Sequence, residues 1–149
     1  MTSQLREGDL FFLGILRAAR MLTRFFDDGL RSVGLTCGQF SILASVYSAQ
    51  SISMKPLATR LAMDRTTLTA ALKALQRERL VSTAADANDR RRRMISITAS
   101  GRKRLLRALP IWAEKCRVLA EILQDEDWFQ DVQTIGYALA SSTGSSGVH

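Results

Sequence analysis

The chain has 149 residues, with 21 Lys and Arg against 14 Asp and Glu, a formal net charge of +7. That length suits one packed core, and 46% hydrophobic with 23% charged side chains excludes global disorder. Two cysteines, a lone histidine at His149, no Gly-rich phosphate loop and no Gly-x-Ser-x-Gly elbow argue against a disulfide scaffold, a zinc site, a bound cofactor and an enzyme.

Residues 9–33 have apolar side chains at Phe12, Ile15, Ala19, Leu22, Phe26, Leu30 and Val33, the spacing of a long helix. Asp9 is its expected N-cap and Gly34 its stop. Thr36-x-x-Gln39 fits a capping box for a second helix, whose apolar face is Phe40, Leu43, Val46 and Tyr47. A short strand is expected around Ile52. Ser53 then caps a third helix through Ala62, with Pro56 in its first turn and Leu57, Ala58 and Leu61 inward. Asp64 caps a fourth helix to about Arg79, with Leu68, Leu72 and Leu75 buried. Its other face carries Arg65, Thr66, Thr69, Lys73 and Gln76.

Val81–Ala84 and Met94–Thr98 read as two strands joined by the polar loop 86–93. Thr98 caps a fifth helix with Gly101 early in it. Leu105, Leu109, Trp112, Cys116, Leu119 and Leu123 form a heptad-like seam that Pro110 should interrupt and kink. A sixth helix is expected over about 126–140, with Phe129, Val132, Ile135, Gly136 and Leu139 on one face. The Ser/Gly-rich residues 141–149 are expected to be disordered. No apolar run approaches the ~18 residues of a membrane span. The polar start Met1–Asp9 has no signal-peptide pattern, so a cytoplasmic address is expected.

The charge is concentrated. Residues 60–107 hold 13 basic and four acidic side chains, a surplus of nine, while the rest of the chain holds eight against ten. Such a local field attracts a polyanion. A solvated basic face would explain the charge but not its organisation. The third and fourth helices, with a tight junction at Met63-Asp64, have helix-turn-helix proportions. The outer face of the fourth offers Arg65, Thr66, Thr67 and Thr69 to a major groove: the threonines approach closely, and Arg65 suits guanine. Lys55, Lys73 and Arg77 suit phosphates. Arg90, Arg91, Arg92 and Arg93 on a hairpin repel one another without a polyanion, and an arginine at the tip, Arg91, fits a minor groove. Asp89 either orients Arg91 or caps the turn.

The run Asp89-Arg90-Arg91-x-x-x-Ile95-x-Ile97-Thr98-x-x-Gly101-Arg102 resembles the wing and following helix start of MarR-type transcriptional regulators. Ala62-Met63-Asp64-Arg65-Thr66-Thr67-Leu68-Thr69 looks like that family's recognition-helix entry. Leu35-Thr36-x-x-Gln39-Phe40-x-Ile42-Leu43 looks like its second helix. The resemblance implies a mostly α chain with a small β-hairpin wing: a winged helix-turn-helix over 36–98, flanked by dimerisation helices over 9–34 and 99–140, in a single unit spanning 1–149. It implies a homodimer that binds double-stranded DNA at a pseudo-palindromic operator, usually as a repressor relieved by a small ligand or by oxidation. Asp89 and Arg91 fall on the family's wing pair, and Arg65–Thr69 on its groove-facing positions. Pro56 departs from the pattern, standing where many members have an acid.

Dimerisation also follows from the residues themselves. The long helices at both ends carry more apolar surface than a winged domain buries, and twofold symmetry doubles the site that one helix reads. A family-like effector pocket would be lined by Arg17, Phe25, Phe40, Tyr47 and Trp112. Arg17 and Arg20 in a mostly apolar helix suggest an anionic aromatic effector. Cys37, in the first turn of the second helix, is the alternative redox sensor, because aligned N–H groups lower a thiol pKa. Hydroperoxide-sensing members carry their cysteine in the first helix, and this first helix has none. A non-specific architectural DNA binder and a winged-helix protein-interaction module are the other classes. Operator, regulated genes, effector and sign of regulation are not legible.

Overall fold

The computed structural model describes residues 2–125 and 127–144. The element order is α1 (Thr2–Leu30), a 3-10 turn (Arg31–Val33), α2 (Cys37–Ala49), β1 (Ser51–Ser53), α3 (Met54–Leu61), α4 (Arg65–Arg77), β2 (Val81–Ala85), β3 (Arg93–Ile97), α5 (Ala99–Leu123) and α6 (Trp128–Gly144). The strands form one antiparallel sheet, β1-β3-β2, in which Ile52 faces Ile95 and Thr83 also faces Ile95 from the other side. The chain divides into two compact units, Met1–Trp112 and Ala113–His149.

Two helix starts follow their local sequence. Thr36 accepts from the Gln39 N–H at 3.2 Å, and the Gln39 side chain accepts from the Thr36 N–H at 3.0 Å. Asp64 accepts from the Thr67 N–H at 2.8 Å and from its hydroxyl at 2.6 Å. Each cap satisfies N–H groups that the helix leaves without an intrahelical partner. Two other expected caps fail. Asp9 lies inside α1, which begins at Thr2. Ser53 stands at the start of α3, but its side chain makes no capping bond. α1 ends at Leu30, and Gly34, at φ +68°, closes the 3-10 turn that follows. Only a residue tolerant of the left-handed region ends a turn this way without strain.

Other boundaries move by a residue or two. α4 ends at Arg77, and both hairpin strands are displaced slightly from the expected limits. Pro110 does not interrupt α5. Its missing N–H leaves the carbonyl of Leu106 without a helical partner, and Leu106 is exposed, so water can satisfy it. Ser141–Gly144, expected in a disordered tail, belong to α6. Glu126 and residues 145–149 lie outside the described residues.

The first unit's core is made of Leu30, Ile42, Leu43, Val46, Leu57, Leu68, Leu75, Leu80, Ile95 and Leu105, each almost completely buried. It draws on α1, α2, α3, α4, the sheet and the start of α5. Leu68, Leu72 and Leu75 hold α4 onto this core as expected, which leaves its polar face outward. Tyr47, expected on the buried face of α2, is exposed instead, and Ile42 takes the core position.

The start of α5 is fixed by one close approach. A Cβ at Gly101 would lie 2.0 Å from the carbonyl oxygen of Leu80, so no larger residue fits. Thr98 completes the joint. Its hydroxyl donates to the Arg79 carbonyl at 2.6 Å and accepts from the Gly101 N–H at 3.0 Å, while its own N–H bonds the Leu80 carbonyl at 3.1 Å. These contacts tie the end of the wing to the loop that follows α4.

Within Ala113–His149, Arg117 pairs with Glu114 at 2.6 Å and with Glu121 across one helical turn. The pairs are exposed and contribute little stability. α6 presents Val132, Ile135, Tyr137 and Leu139 to solvent. No described helix is long and apolar enough to cross a membrane.

Candidate nucleic-acid interface

The helix-turn-helix junction is three residues long. Ala62 adopts φ +50°, and its N–H and that of Met63 return to the Thr59 and Ala58 carbonyls at 3.2 and 3.0 Å. The chain reverses there, Met63 packs against the core, and Asp64 starts α4. Arg65, Thr66, Thr69, Ala70 and Lys73 then line one shallow depression on the outward face. Arg65, Thr66 and Lys73 are exposed, and Thr69 is half-buried with its hydroxyl donating to the Arg65 carbonyl at 2.7 Å. Thr67 serves the cap, since Asp64 holds both its N–H and its hydroxyl. Those bonds, the Thr67 hydroxyl first, hold the Asp64 carboxyl below its ordinary value.

Arg77 and Lys55 are exposed on α4 and α3. Gln76, one turn beyond Lys73, is not part of the depression's lining. Its side-chain amide donates to the Thr83 hydroxyl at 3.2 Å, joining α4 to β2. The sequence gives Gln76 no such partner, because the bond depends on where the sheet packs.

The wing is a self-capped turn. Asp89 accepts from the Arg91 backbone N–H at 3.0 Å, its carbonyl accepts from the Arg92 N–H at 2.9 Å, and the Arg92 carbonyl accepts from the Asp86 N–H at 2.8 Å. Asp86 accepts from the Asn88 N–H at 2.9 Å. Asp89 therefore acts on the backbone: of the two readings open in the sequence, the bonds are those of the turn cap. Among the described residues it forms no ion pair with the Arg91 guanidinium. Arg90, Arg91 and Arg92 stand exposed on the turn. Arg93, expected there too, is the first residue of β3, and its guanidinium reaches the Thr83 hydroxyl at 3.4 Å. Register decides this, since Arg93 pairs with Ala85 across the hairpin.

The five expected pocket residues do not gather into one cavity. Trp112 is stacked between Phe26 and Phe40, at centroid distances of 4.2 and 4.3 Å, and Phe25 meets Phe26 edge-on at 5.6 Å. That is packed core. Phe26, absent from the expected set, sits at its centre. Tyr47 lines a separate cleft beside Arg102, and Arg17 is exposed on α1.

Cys37 does open α2, but its thiol is pushed up, by burial first and by the Asp27 carboxylate second. Asp27 accepts from the Cys37 N–H at 2.6 Å. The helix N–H that was to favour a thiolate is thus matched with an anion, and the expected lowering of the pKa is overturned. Cys116 is raised by burial. Among the described residues no cluster of His, Cys, Asp and Glu could hold a metal ion.

The sequence profile of the MarR family matches residues 35–92, which run from the start of α2 to the wing arginines. No curated protein matches the chain. Solved structures do. The M. tuberculosis transcriptional regulator MosR, in complex with DNA, is 36% identical with a TM-score of 0.75; the match covers 91% of this chain and 97% of that one. The transcriptional repressor CouR, bound to a 23-mer DNA duplex, is 26% identical with a TM-score of 0.74, over 96% and 97% of the two chains. The regulator BldR from Sulfolobus solfataricus is 27% identical with a TM-score of 0.72, over 93% and 99%. With a helix-turn-helix, a three-stranded sheet ending in a hairpin wing and a relative this similar over nearly its whole length, the chain belongs to the MarR family of DNA-binding transcriptional regulators.

Proposed function

We propose that the protein is a homodimeric, sequence-specific repressor of a pseudo-palindromic operator, relieved by a small anionic aromatic ligand and acting in the cytoplasm. The observation that carries DNA reading is a coincidence of position. The segment with the whole charge surplus is also the one with the outward face of α4 and the arginine turn. Arg65 reads guanine, with Thr66 and Thr69 as close neighbours in the major groove. Lys55, Lys73 and Arg77 bind phosphates and set the register. Arg91 enters the minor groove, flanked by Arg90 and Arg92. Thr67 serves the helix cap, and Arg93 acts from the strand.

Dimerisation is supported by apolar surface that each unit leaves uncovered. α1 exposes Leu10, Phe12, Leu13, Ile15 and Met21, and α6 exposes Val132, Ile135, Tyr137 and Leu139. Exposed apolar surface on this scale marks an association face. Two copies present two recognition helices, as a palindromic site requires. In this division of labour residues 36–98 read DNA, and the helices over 9–34 and 99–140 assemble the dimer. The MosR and CouR structures, each with DNA, support the DNA-binding half, and CouR is itself named a repressor.

The test is a footprint on DNA flanking the protein's own gene, followed by competition with random duplex at fixed salt. A specific regulator prefers its operator by ~10³-fold or more. Equal competition by random duplex would instead identify an architectural binder. The redox alternative through Cys37 is disfavoured by its raised thiol.

A further inference from the structure

We infer that Thr83 is a positioning residue for DNA binding: its hydroxyl oxygen holds the arginine turn at a set place relative to α4, so that both meet one duplex together. The inference rests on the reading of α4 and the wing as the DNA-contacting elements. Thr83 lies on β2, an edge strand, and is half-buried. Its oxygen accepts from the Gln76 amide of α4 at 3.2 Å and, over a longer reach, from the Arg93 guanidinium of β3 at 3.4 Å. A hydroxyl oxygen accepts through two lone pairs, and here α4, β2 and β3 meet on one atom. All three residues lie within the first compact unit.

Local structure brings the three side chains together. Thr83 faces Ile95 across the hairpin, and Arg93 is its diagonal neighbour on the same face, within reach of a long side chain. Leu72 and Leu75, buried just before Gln76, seat that end of α4 on the core. Leverage comes from where Thr83 stands along the hairpin. The base is fixed separately: Val81 pairs with Ile97, and the Thr98 N–H and hydroxyl bond the Leu80 and Arg79 carbonyls. Val81 and Ile95 are buried, whereas Ala84, Ala85 and Arg93 are exposed. Among the described residues, Gln76 to Thr83 is the one side-chain hydrogen bond between α4 and the hairpin. At ~3.3 Å per residue the turn stands ~10–15 Å past Thr83, so a tilt of ~10° moves Arg91 by ~2 Å, against a minor groove ~6 Å wide.

A bond that only stiffened the fold would be missed equally with or without the wing's grip on DNA. A bond that places the wing matters only while the wing is used. Valine keeps the shape of threonine and removes the hydroxyl. Gln76 is half-buried, so water can take its amide when that acceptor is gone. A double-mutant cycle with Arg91 therefore separates the two roles.

The experiment measures binding of the full-length chain, by fluorescence anisotropy at fixed salt, to the duplex footprinted beside its own gene and to random duplex. Thr83→Val should weaken binding to the footprinted duplex about tenfold, and Thr83→Ser, which keeps the hydroxyl, by less than about twofold. In a chain that already carries Arg91→Ala, adding Thr83→Val should cost less than about twofold. Residual dipolar couplings, measured by NMR without DNA, should report one orientation of the hairpin relative to α4 in the unsubstituted chain and in Thr83→Ser. In Thr83→Val the hairpin couplings should be averaged while those within α4 stay unchanged. The inference is overturned by an equal loss with and without Arg91, by a loss in Thr83→Ser as large as in Thr83→Val, by unchanged binding in Thr83→Val, or by unchanged hairpin couplings in that variant. Failure of the unsubstituted chain to prefer the footprinted duplex would sink the proposed function alone, because the couplings then decide the inference without DNA.

Discussion

The two halves of α1 carry the same kind of side chain in opposite surroundings. Phe26 and Leu30, toward its end, are 6% and 0% exposed, and Phe26 stacks on Trp112. Phe12 and Ile15, toward its start, are 60% and 50% exposed. One half is finished by its own domain and the other is not. The contrast separates residues that make the fold from residues the fold leaves uncovered, and the exposed arginines of the wing belong to the second kind.

The sharpest break is at the folded half. Leu30→Ala removes a fully buried side chain from the first unit's core and should cost about 2–5 kcal/mol of stability, read from denaturant unfolding. Ile15→Asp should leave the melting of the core nearly unchanged and attack assembly. In a twofold interface the substitution occurs twice, so a loss of roughly 2–4 kcal/mol in dimer affinity is expected. Light scattering at micromolar concentration should then report single-chain mass for the variant and twice that for the parent. If Ile15→Asp instead unfolded the chain as Leu30→Ala does, the two halves would not differ in role.

The same contrast explains what was legible beforehand. The caps at Thr36 and Asp64 were readable because donor and acceptor lie three residues apart, and local sequence fixes them. The inner face of α4 was readable because Leu68, Leu72 and Leu75 repeat at helical spacing. Periodicity identified α1 as a helix but not which half is covered, because the cover comes from Trp112, far along the chain. Burial of the Cys37 thiol, with Asp27 beside it, comes from tertiary packing with no local signature, and it reverses the sign of the expected thiol shift. Tyr47 continued an apolar stripe and so read as core, yet the helix turns it outward at the cleft. Arg93 read as loop because a run of four arginines hides the residue at which pairing begins.

Among the contact residues, the wing offers a finer comparison. Arg91 stands on the exposed turn, while Arg93 reaches back to Thr83. Arg91→Ala should weaken operator binding by about 1–3 kcal/mol and reduce the slope of log affinity against log salt by about one. Arg93→Ala should cost less, because its side chain is partly spent inside the hairpin. Titrations at several salt concentrations measure both, and equal losses would show the strand arginine to be as free as the turn one.

The smallest expected effect is at Asp64, which serves the fold while standing at the exposed start of α4. Its carboxyl is fully exposed and is held below the ordinary value of 3.8, chiefly by the Thr67 hydroxyl. A group whose folded pKa is depressed contributes stability that is fully present above the unfolded value and is lost as pH falls through the folded one. Asp64→Ala should therefore lower Tm by a constant small amount at neutral pH. The gap between the two proteins should close as pH drops below 3.8, where the unsubstituted carboxyl also takes up a proton and loses its charge-assisted bonds to Thr67. Thr67→Val, which removes the hydroxyl but keeps the backbone N–H, should lower Tm by less and recover part of the depressed pKa. A Tm gap that stayed constant down to pH 2 would mean that the ionised carboxylate contributes nothing, and that the cap acts only through its shape.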